Sequence, residues 1–324
     1  MPGKVIILGA KGRFGRAAVN AFLAAGWKVR AFARSWDGVN ANTPVEKISG
    51  DAFNADTLAK AATDCDVIVN ALNPPYPLWR RDIPRTTAAV IHAARTTGAT
   101  VMIPGNVYNY GADMPERPNE LTEHAPTTLK GCLREEMERA YAKATNSGVR
   151  TIVLRAGDFI EREKTGNWFD SHIAGSLHKG SVMYPAPLDR VHAWAYLPDA
   201  ARAMVGLAEK RADFAPFECF NFAGYEMTGQ ELVSALEQAC GHPLKVKGMP
   251  WPLIKVLGLV MPQMREVVEM RYLWSTPHAL DGGKLAKALP DFIPTPLSLA
   301  LAEAIGAEQP APATATATYQ ASTA

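Results

Sequence analysis

The stretch Lys4–Arg16, KVIILGAKGRFGR, decides the fold of this chain. It begins with four consecutive apolar residues, Val5–Leu8, which are typical of a strand buried on both faces inside a parallel sheet. Three glycines follow at intervals of three residues, Gly9, Gly12 and Gly15, and an amphipathic helical pattern comes next. The stretch therefore predicts a strand, a glycine-rich turn and a helix.

A turn of this kind is suited to a phosphate group. Glycine lets the backbone approach a pyrophosphate closely, and the N–H groups and dipole of the following helix attract negative charge. Gly26 ends the predicted helix, and Trp27–Phe32 is typical of a second strand, which completes a βαβ unit of about thirty residues. We therefore expect a dinucleotide here, although an ordinary βα turn without a ligand is the alternative. The predicted cofactor-binding residues of the turn are Gly9, Lys11, Gly12, Arg13, Phe14 and Gly15.

The residues after the second strand bear on which dinucleotide is bound. Many dinucleotide folds carry an Asp or Glu there, which binds the 2′-hydroxyl of the adenosine ribose. This chain has Arg34 and Ser35 instead. An arginine can pair bidentately with a 2′-phosphate, so the sequence favours NADP(H) over NAD(H), with Lys11 or Arg13 as helpers. The alternative is a solvated arginine at a strand end.

More candidate residues follow the third and fourth predicted strands. Asp51 ends the third strand, where it either faces the adenine or stabilises a turn. The fourth strand, Asp66–Leu72, should end at the sheet edge where ligands bind in open α/β folds. The proline-rich loop 73–79 is rigid, so its aromatic residues are candidate substrate walls, although loop packing is their commoner role. The assignments are Asp51, Ala71, Leu72 and Asn73 to the cofactor, and Tyr76 and Trp79 to the substrate.

Strand and helix alternate from residue 4 to residue 155. This pattern predicts an α/β fold, a doubly wound parallel (Rossmann) sheet with a smaller C-terminal substrate lobe. We assign residues 1–157 to the dinucleotide-binding domain, with 190–222 returning to it. Residues 158–189 and 223–306 are assigned to the substrate lobe, and 307–324, rich in Pro, Ala and Thr, to a disordered tail.

Composition argues against several classes of protein. Lys plus Arg is 34 against 32 for Asp plus Glu, so the net charge of +2 gives no support for a nucleic-acid or membrane partner. The 4 cysteines lack the paired spacing of a zinc site, and no metal site is expected. The chain enters its first strand at once, leaving no room for a signal peptide, and the longest apolar stretch, Met249–Pro262, is too short to span a bilayer. We expect a cytoplasmic protein with a small-molecule partner.

A helix capped by Thr127 or Thr128 is predicted after the fifth strand and a long loop. Lys130, Arg134 and Glu138 follow at steps of four and share one helical face. The ordinary interpretation of such a row is a solvated surface with a salt bridge between Arg134 and Glu138.

With these elements placed, the chain resembles the short-chain dehydrogenase/reductase superfamily, in its extended or atypical branch of epimerase and dehydratase type. The likeness extends to about residue 305. It implies a Rossmann fold and dinucleotide binding. The motifs that carry it are GAKGRFG at 9–15, GD at 50–51, NAL at 70–72 and YLPDAARA at 196–203.

The chain departs from this superfamily at its catalytic helix. Family members usually carry a Tyr there, which exchanges the proton, and four residues on a Lys that holds the nicotinamide ribose. The resemblance places Lys130 and Arg134 at those positions. The substitution is similar to the atypical members related to isoflavone reductases, in which the lysine is taken as the acid/base. The likeness extends to nitrogen-metabolite repressors, some of which bind dinucleotide without turnover.

The loop after the fifth strand supplies further candidates. The family serine that polarises the substrate carbonyl would fall near Gly105 or Asn106, and Asn106 is the candidate by residue type. Tyr108 and Tyr110 lie on the same loop, where either could supply a phenol or form a wall.

The sequence therefore predicts an NADP(H)-dependent oxidoreductase that reduces a small carbonyl or enone-like substrate. Lys130 is predicted both to contact the cofactor and to act as the acid, assisted by burial and by the neighbouring cation Arg134. Asn106 and Tyr108 are expected to bind the substrate oxygen, with Tyr110 and Arg134 as further substrate contacts. The alternatives are a dinucleotide-sensing regulator without turnover and a sugar-nucleotide epimerase or dehydratase.

Overall fold

The strand of the opening stretch, β1 (Lys4–Leu8), lies inside a parallel sheet. A computed structural model describes residues 2–36, 44–164 and 166–307 of the chain. The tail predicted to be disordered lies, from residue 308 onward, outside these residues. The other strands are β2 (Lys28–Ala33), β3 (Glu46–Ser49), β4 (Val67–Asn70), β5 (Thr100–Gly105), β6 (Thr151–Ala156), β7 (Asp158–Ile160), β8 (Ser181–Tyr184), β9 (Val191–Tyr196), β10 (Phe217–Phe222), β11 (Tyr225–Thr228) and β12 (Lys245–Gly248).

Within the described residues, the main sheet has seven strands in the order β10-β6-β5-β4-β1-β2-β3, all paired in parallel. The predicted Rossmann-like α/β fold is confirmed. Helices α1 and α5 pack on one face of the sheet, and α2, α3 and α4 pack on the other. The helices are α1 (Arg13–Ala24), α2 (Ala55–Ala61), α3 (Trp79–Thr97), α4 (Leu129–Ala144), α5 (Leu197–Glu209), α6 (Gly229–Cys240), α7 (Trp251–Leu257), α8 (Pro262–Glu269), α9 (Tyr272–Ser275), α10 (Gly283–Ala288) and α11 (Leu297–Ile305).

The order in which strands are added to the sheet changes side between β1 and β4. Strands β2 and β3 follow on one side of β1, and β4, β5 and β6 follow on the other. Leu8, at the end of β1, lies beside Phe32 of β2 and Asn70 of β4, so these strands end at the same level. The residues that follow them are therefore brought together at the carboxyl edge of the sheet. In open α/β folds, the crevice at such a reversal is where ligands bind.

The polar face of α4 is buried against β6. Glu138 receives hydrogen bonds from both terminal nitrogens of Arg155, at 3.2 Å to Oε1 and 2.8 Å to Oε2, and both residues are buried. The predicted salt bridge between Arg134 and Glu138 on a solvated face is therefore wrong. Helical spacing alone cannot reveal that β6 brings Arg155 beneath α4.

The second half of the chain adds two small sheets. β9 pairs with β7 and β11, and β12 pairs with β8. Within residues 190–222, α5 packs on α1 and β10 joins the main sheet beside β6, whereas β9 belongs to a small sheet. The division into a dinucleotide domain and a substrate lobe stays a prediction. Among the described residues, no helix is long and apolar enough to cross a bilayer.

Aromatic rings and histidines from β9, α9 and the segment after α9 form a cluster. The His192 ring stacks on Trp274 with centroids 4.2 Å apart, and its Nε2 lies 2.8 Å from Asp158 Oδ2. The buried His278 ring packs edge-on against His192 at 4.6 Å, and its Nδ1 lies 2.9 Å from the carbonyl oxygen of Thr276. Burial, together with His192, lowers the pKa of His278 to about 4, so this imidazole is neutral at neutral pH.

The low pKa of His278 predicts an acid-dependent stability. The unfolded chain takes up the proton near the ordinary histidine value of about 6.5, whereas the folded chain resists it down to about 4. Protonation of His278 in the unfolded chain therefore does not reduce the free energy of unfolding above about pH 6.5. As the pH falls from there to about 4, the free energy of unfolding decreases by about 3 kcal/mol.

We expect His278→Asn, which keeps a donor for the Thr276 carbonyl, to weaken this pH dependence of the free energy of unfolding. Urea titrations between neutral pH and about pH 4 measure it. His242→Asn is the matched control, since His242 is exposed. An unchanged pH slope in His278→Asn would contradict the assignment.

Candidate functional site

A cavity of about 680 Å³ opens at the carboxyl edge of the sheet, where the strand order reverses. The glycine turn and the segments after β4, β5 and β6 form its floor and sides, and α8 closes it from the C-terminal half. The lining includes residues 11–14, 72–76, 104–108 and 156–159, with Glu266 and Val267 of α8.

The glycine turn has the geometry of a phosphate cradle. Gly9 has φ +72°, and a Cβ there would lie 2.9 Å from the carbonyl oxygen of Ala71. A Cβ at Gly15 would collide with the carbonyl oxygen of Gly9, so α1 packs against the turn only because this position is glycine. Gly12, which has no side chain, directly precedes α1 and leaves the helix N-terminus open toward the cavity. These features fit a dinucleotide pyrophosphate.

The predicted cofactor residues divide into two sets. Lys11, Gly12, Arg13, Phe14, Leu72 and Asn73 line the cavity. Gly9, Gly15 and Ala71 lie behind the turn, where they set its shape. Arg13 also forms an ion pair with Glu161 at 2.7 Å, a contact that the sequence did not suggest.

Arg34 follows β2, and two further arginines, Arg81 and Arg85, lie near the start of α3. Arg34 is exposed directly after β2. The pKa of Asp82 is lowered mainly by its hydrogen bond from Arg81, and also by Arg85 and Arg34, which places Arg34 near this group. Asp51 is exposed, and its Oδ1 accepts a hydrogen bond from the Phe53 N–H at 3.0 Å, the geometry of a turn acid. A 2′-phosphate placed here would meet positive charge.

Tyr108 offers a phenol at the cavity wall. Its hydroxyl lies 3.3 Å from the hydroxyl of Tyr76, which also lines the cavity. Burial raises the pKa of Tyr108 well above its ordinary value, and the nearby Tyr76 and Asp158 raise it further. The phenol is therefore protonated at neutral pH and can donate a hydrogen bond.

Asn106 lies on the same wall, at the end of β5. Its Oδ1 accepts a hydrogen bond from the Tyr108 N–H at 3.1 Å and caps the short 3-10 helix Val107–Tyr110. Its carbonyl oxygen accepts a hydrogen bond from Arg155. These contacts fix the loop, and the amide NH₂ of Asn106 is the group that can donate to a substrate oxygen.

Lys130 is buried and holds α4 against α8. Its Nζ forms ion pairs with Glu266 and, at 2.5 Å, with Glu269, and its backbone N–H donates to Glu269 Oε1 at 3.1 Å. The ammonium also lies 4.9 Å from the centroid of the Tyr76 ring. Among the described residues that line the cavity, Tyr76 and Glu266 are present and Lys130 is not. Lys130 therefore has two carboxylate partners that the sequence did not suggest, in addition to Arg134 one helical turn away.

Arg134 lines the cavity, one helical turn from Lys130. Its guanidinium lies 4.7 Å from the centroid of a Trp79 ring and donates a long hydrogen bond of 3.4 Å to Asn73 Oδ1. Burial lowers the pKa of this arginine. The Trp79 indole N–H donates to the Pro74 carbonyl oxygen at 2.8 Å, which fixes the ring under Arg134.

Tyr110 is placed apart from the other candidates. Its hydroxyl donates to the Asn119 carbonyl oxygen at 3.1 Å, and its ring contacts the Arg155 guanidinium at 5.1 Å. It lines a different cavity, of about 420 Å³, beside α4 and β10. The structure thus brings Asn106, Tyr108, Tyr76, Trp79 and Arg134 together and leaves Tyr110 outside.

Sequence reasoning missed the acidic residues and histidines that line the cavity, which are Asp158, Glu266, His172 and His278. Asp158 comes directly after β6, so the rule that ligands bind at the carboxyl ends of strands was a usable indication for it. His278 arrives from a distant loop, and nothing in its local sequence points to the cavity. Within the described residues, no group of His, Cys, Asp and Glu side chains could hold a metal ion.

Comparison with solved structures shows the same fold over nearly the whole chain. UDP-N-acetylglucosamine 4-epimerase from Bacillus cereus is 14% identical, with a TM-score of 0.74 over 94% of this chain and 98% of that one. Thermotoga maritima UDP-glucose 4-epimerase, solved with UDP-glucose, is 15% identical, with a TM-score of 0.74 over 94% and 97% of the two chains. The Bordetella bronchiseptica enzyme WbmH, solved with NAD⁺, is 15% identical, with a TM-score of 0.71 over 94% and 98%.

At these identities the structures show the fold alone. No curated protein sequence matches the chain. Residues 9–182, more than half of the chain, match the family model described as NAD(P)H-binding. This range contains the glycine turn, the segment after β4 and α4. The chain therefore belongs to the NAD(P)H-binding family, and it has the fold that the resemblance in its sequence implied.

Proposed function

We propose that the protein is an NADP(H)-dependent oxidoreductase that reduces a small, partly apolar carbonyl or enone compound. The observation that carries this proposal is that one cavity joins the glycine turn to the Tyr108 phenol and an aromatic wall. A dinucleotide on the turn and a substrate against the wall would share this cavity. The bound dinucleotide supplies or accepts a hydride.

Tyr108 is the acid that the geometry supports best. Its phenol lines the cavity and is protonated at neutral pH, with the Tyr76 hydroxyl as its neighbour. A proton donor at this place stabilises the oxyanion that develops when a carbonyl is reduced. The amide NH₂ of Asn106 supplies a second donor for that oxygen.

Lys130 remains the alternative acid. Its ion pairs with Glu266 and Glu269 support a positioning role instead, because they hold α8 over the cavity. In that role Lys130 holds α8 in place, and α8 excludes water from the part of the cavity that binds the substrate. In this proposal residues 158–189 and 223–306 form the substrate lobe, and Tyr76, Trp79 and Arg134 contact the substrate.

A sugar-nucleotide epimerase or dehydratase is the second candidate function. It is supported by the shared fold with UDP-sugar epimerases. The Tyr and Lys pair of that chemistry is replaced here by Lys130 and Arg134, which counts against it. Tightly held NAD⁺ released from denatured protein would favour the epimerase over the oxidoreductase, which exchanges its dinucleotide.

The proposed activity predicts NADPH consumption. Purified protein should oxidise NADPH with at least one class in a panel of aliphatic aldehydes, aromatic aldehydes, ketones and enones. Loss of NADPH absorbance measures the rate, and isothermal titration measures NADPH binding. Tight NADPH binding without oxidation across the panel would reject the oxidoreductase and support the dinucleotide-sensing regulator.

We place this reaction in the cytoplasm. The position of Arg34 after β2 predicts that the protein binds NADP(H) more tightly than NAD(H). Arg34→Ala should weaken NADPH binding by about tenfold to a hundredfold, because a charge-assisted pair with the 2′-phosphate is lost. NADH binding should stay within about twofold. Arg95→Ala, at an exposed arginine in the last turn of α3, is the control. If Arg34→Ala weakened the binding of NADH and NADPH equally, the assignment of Arg34 to the 2′-phosphate would be wrong.

The roles of Tyr108 and Lys130 are separable by substitution. Tyr108→Phe should lower kcat by about a hundredfold or more and leave NADPH binding unchanged, because only a proton donor is removed. Tyr76→Phe, which removes the neighbouring hydroxyl, is the matched control and should lower kcat by about tenfold at most.

Lys130→Met should instead lower the free energy of unfolding by about 2 to 4 kcal/mol, because Glu266 and Glu269 lose their buried partner. Steady-state kinetics and urea denaturation of the three variants measure these effects. A stable Lys130→Met protein with abolished kcat would make Lys130 the acid.

A further inference from the structure

Helix α7 and the turn that joins it to α8 expose several large apolar side chains. This hairpin tip, residues 252–262, carries Leu253, Val256, Leu259 and Val260 with 57%, 62%, 83% and 79% of their surfaces exposed. Elsewhere in the described chain, highly exposed large apolar residues such as Leu121 and Ile293 stand singly. Isolated exposed apolar residues are ordinary, whereas a cluster of this kind marks an interaction surface.

The segment that contains the hairpin tip carries only positive charges along the chain as far as residue 265. From residue 241 to residue 265 the sequence contains Lys245, Lys247, Lys255 and Arg265 and no Asp or Glu. All four cations are exposed. The chain as a whole is nearly neutral, at +2, so this segment is a local excess. The expectation of no membrane partner was drawn from the net charge of the whole chain, and that sum conceals the local excess of positive charge in this segment.

The hairpin tip is held in place by the structure behind it. Lys130 anchors α8 through Glu266 and Glu269, and Glu266 and Val267 of the same helix line the cavity. Trp251, at the start of α7, donates its indole N–H to the Pro185 carbonyl oxygen at 2.8 Å. Both arms of the hairpin are therefore fixed, and the apolar end projects from a rigid base.

Two kinds of partner present a surface to such a tip: a second copy of the chain and a lipid bilayer. A symmetric dimer would place the tip against its own image and bring like charges together, which costs free energy. An anionic bilayer accepts apolar side chains below its headgroups and attracts cations at its surface, by about 1 kcal/mol for each Lys or Arg. The charges therefore favour the bilayer.

We propose that the hairpin tip docks this protein on the surface of an anionic lipid bilayer. Leu259 and Val260 enter the headgroup region, and Lys255 and Arg265 lie beside the lipid phosphates. Because α8 also lines the cavity, docking brings the cavity close to the bilayer. This proposal is independent of the reaction that the cavity supports.

Sedimentation with lipid vesicles tests the docking. Full-length protein should bind vesicles of phosphatidylcholine with about 30% phosphatidylserine and should bind pure phosphatidylcholine vesicles about tenfold less. Leu259→Glu/Val260→Glu should reduce binding to the anionic vesicles by about tenfold or more. Lys255→Gln/Arg265→Gln should reduce it by about tenfold and weaken its dependence on salt.

Leu121→Glu/Ile293→Glu is the matched control. It removes the same number of exposed apolar side chains and adds the same charge at remote sites, 93% and 77% exposed, and should bind like the unaltered protein. Circular dichroism verifies that each variant is folded. Equal binding by the tip variant and the control would overturn the proposal. So would a solution dimer, seen by sedimentation equilibrium, that the tip variant dissociates.

Discussion

The close approach of α1 to the end of β1 is the constraint on which the rest of the structure depends. Because Gly15 has no Cβ, α1 can press against the carbonyl oxygen of Gly9, and Gly9 itself adopts a φ of +72° against Ala71. This contact aims the N-terminus of α1 at the carboxyl edge of the sheet. The cavity, the dinucleotide cradle and the crevice between β1 and β4 all follow from that direction.

The polar face of α4 shows how one row of side chains serves three purposes. Glu138 is buried against Arg155 of β6, Arg134 lies over Trp79 in the cavity, and Lys130 reaches two carboxylates of α8. The helix therefore ties the sheet, the cavity wall and the C-terminal half together. A buried charge that lacks its partner is costly, so each of these contacts specifies where its neighbour must lie.

Two parts of the C-terminal half matter for function in different ways. The cluster of His192, Trp274 and His278 forms a dense aromatic support beside the cavity, and burial keeps His278 neutral. The α7–α8 hairpin closes the cavity with one helix and exposes an apolar, basic tip beyond it. In our two proposals, this hairpin therefore links the site of reaction to the surface that docks on lipid.

Local sequence determined the main sheet, because each buried strand, glycine turn and capped helix is encoded by neighbouring residues. Val5–Leu8 and the three glycines were sufficient to predict the dinucleotide fold, and the ends of β4 and β5 indicated which loops meet at its edge. The sequence indicated a strand at Val191–Tyr196, but the pairing that forms the small sheets went unpredicted, because it joins strands from separate parts of the chain. Only the tertiary structure decided which partner each buried charge has, because Arg155, Glu266 and Glu269 meet α4 from distant parts of the chain. In the function that we propose, these contacts favour Tyr108 as the acid, and they make Lys130 a contact between two halves of the protein.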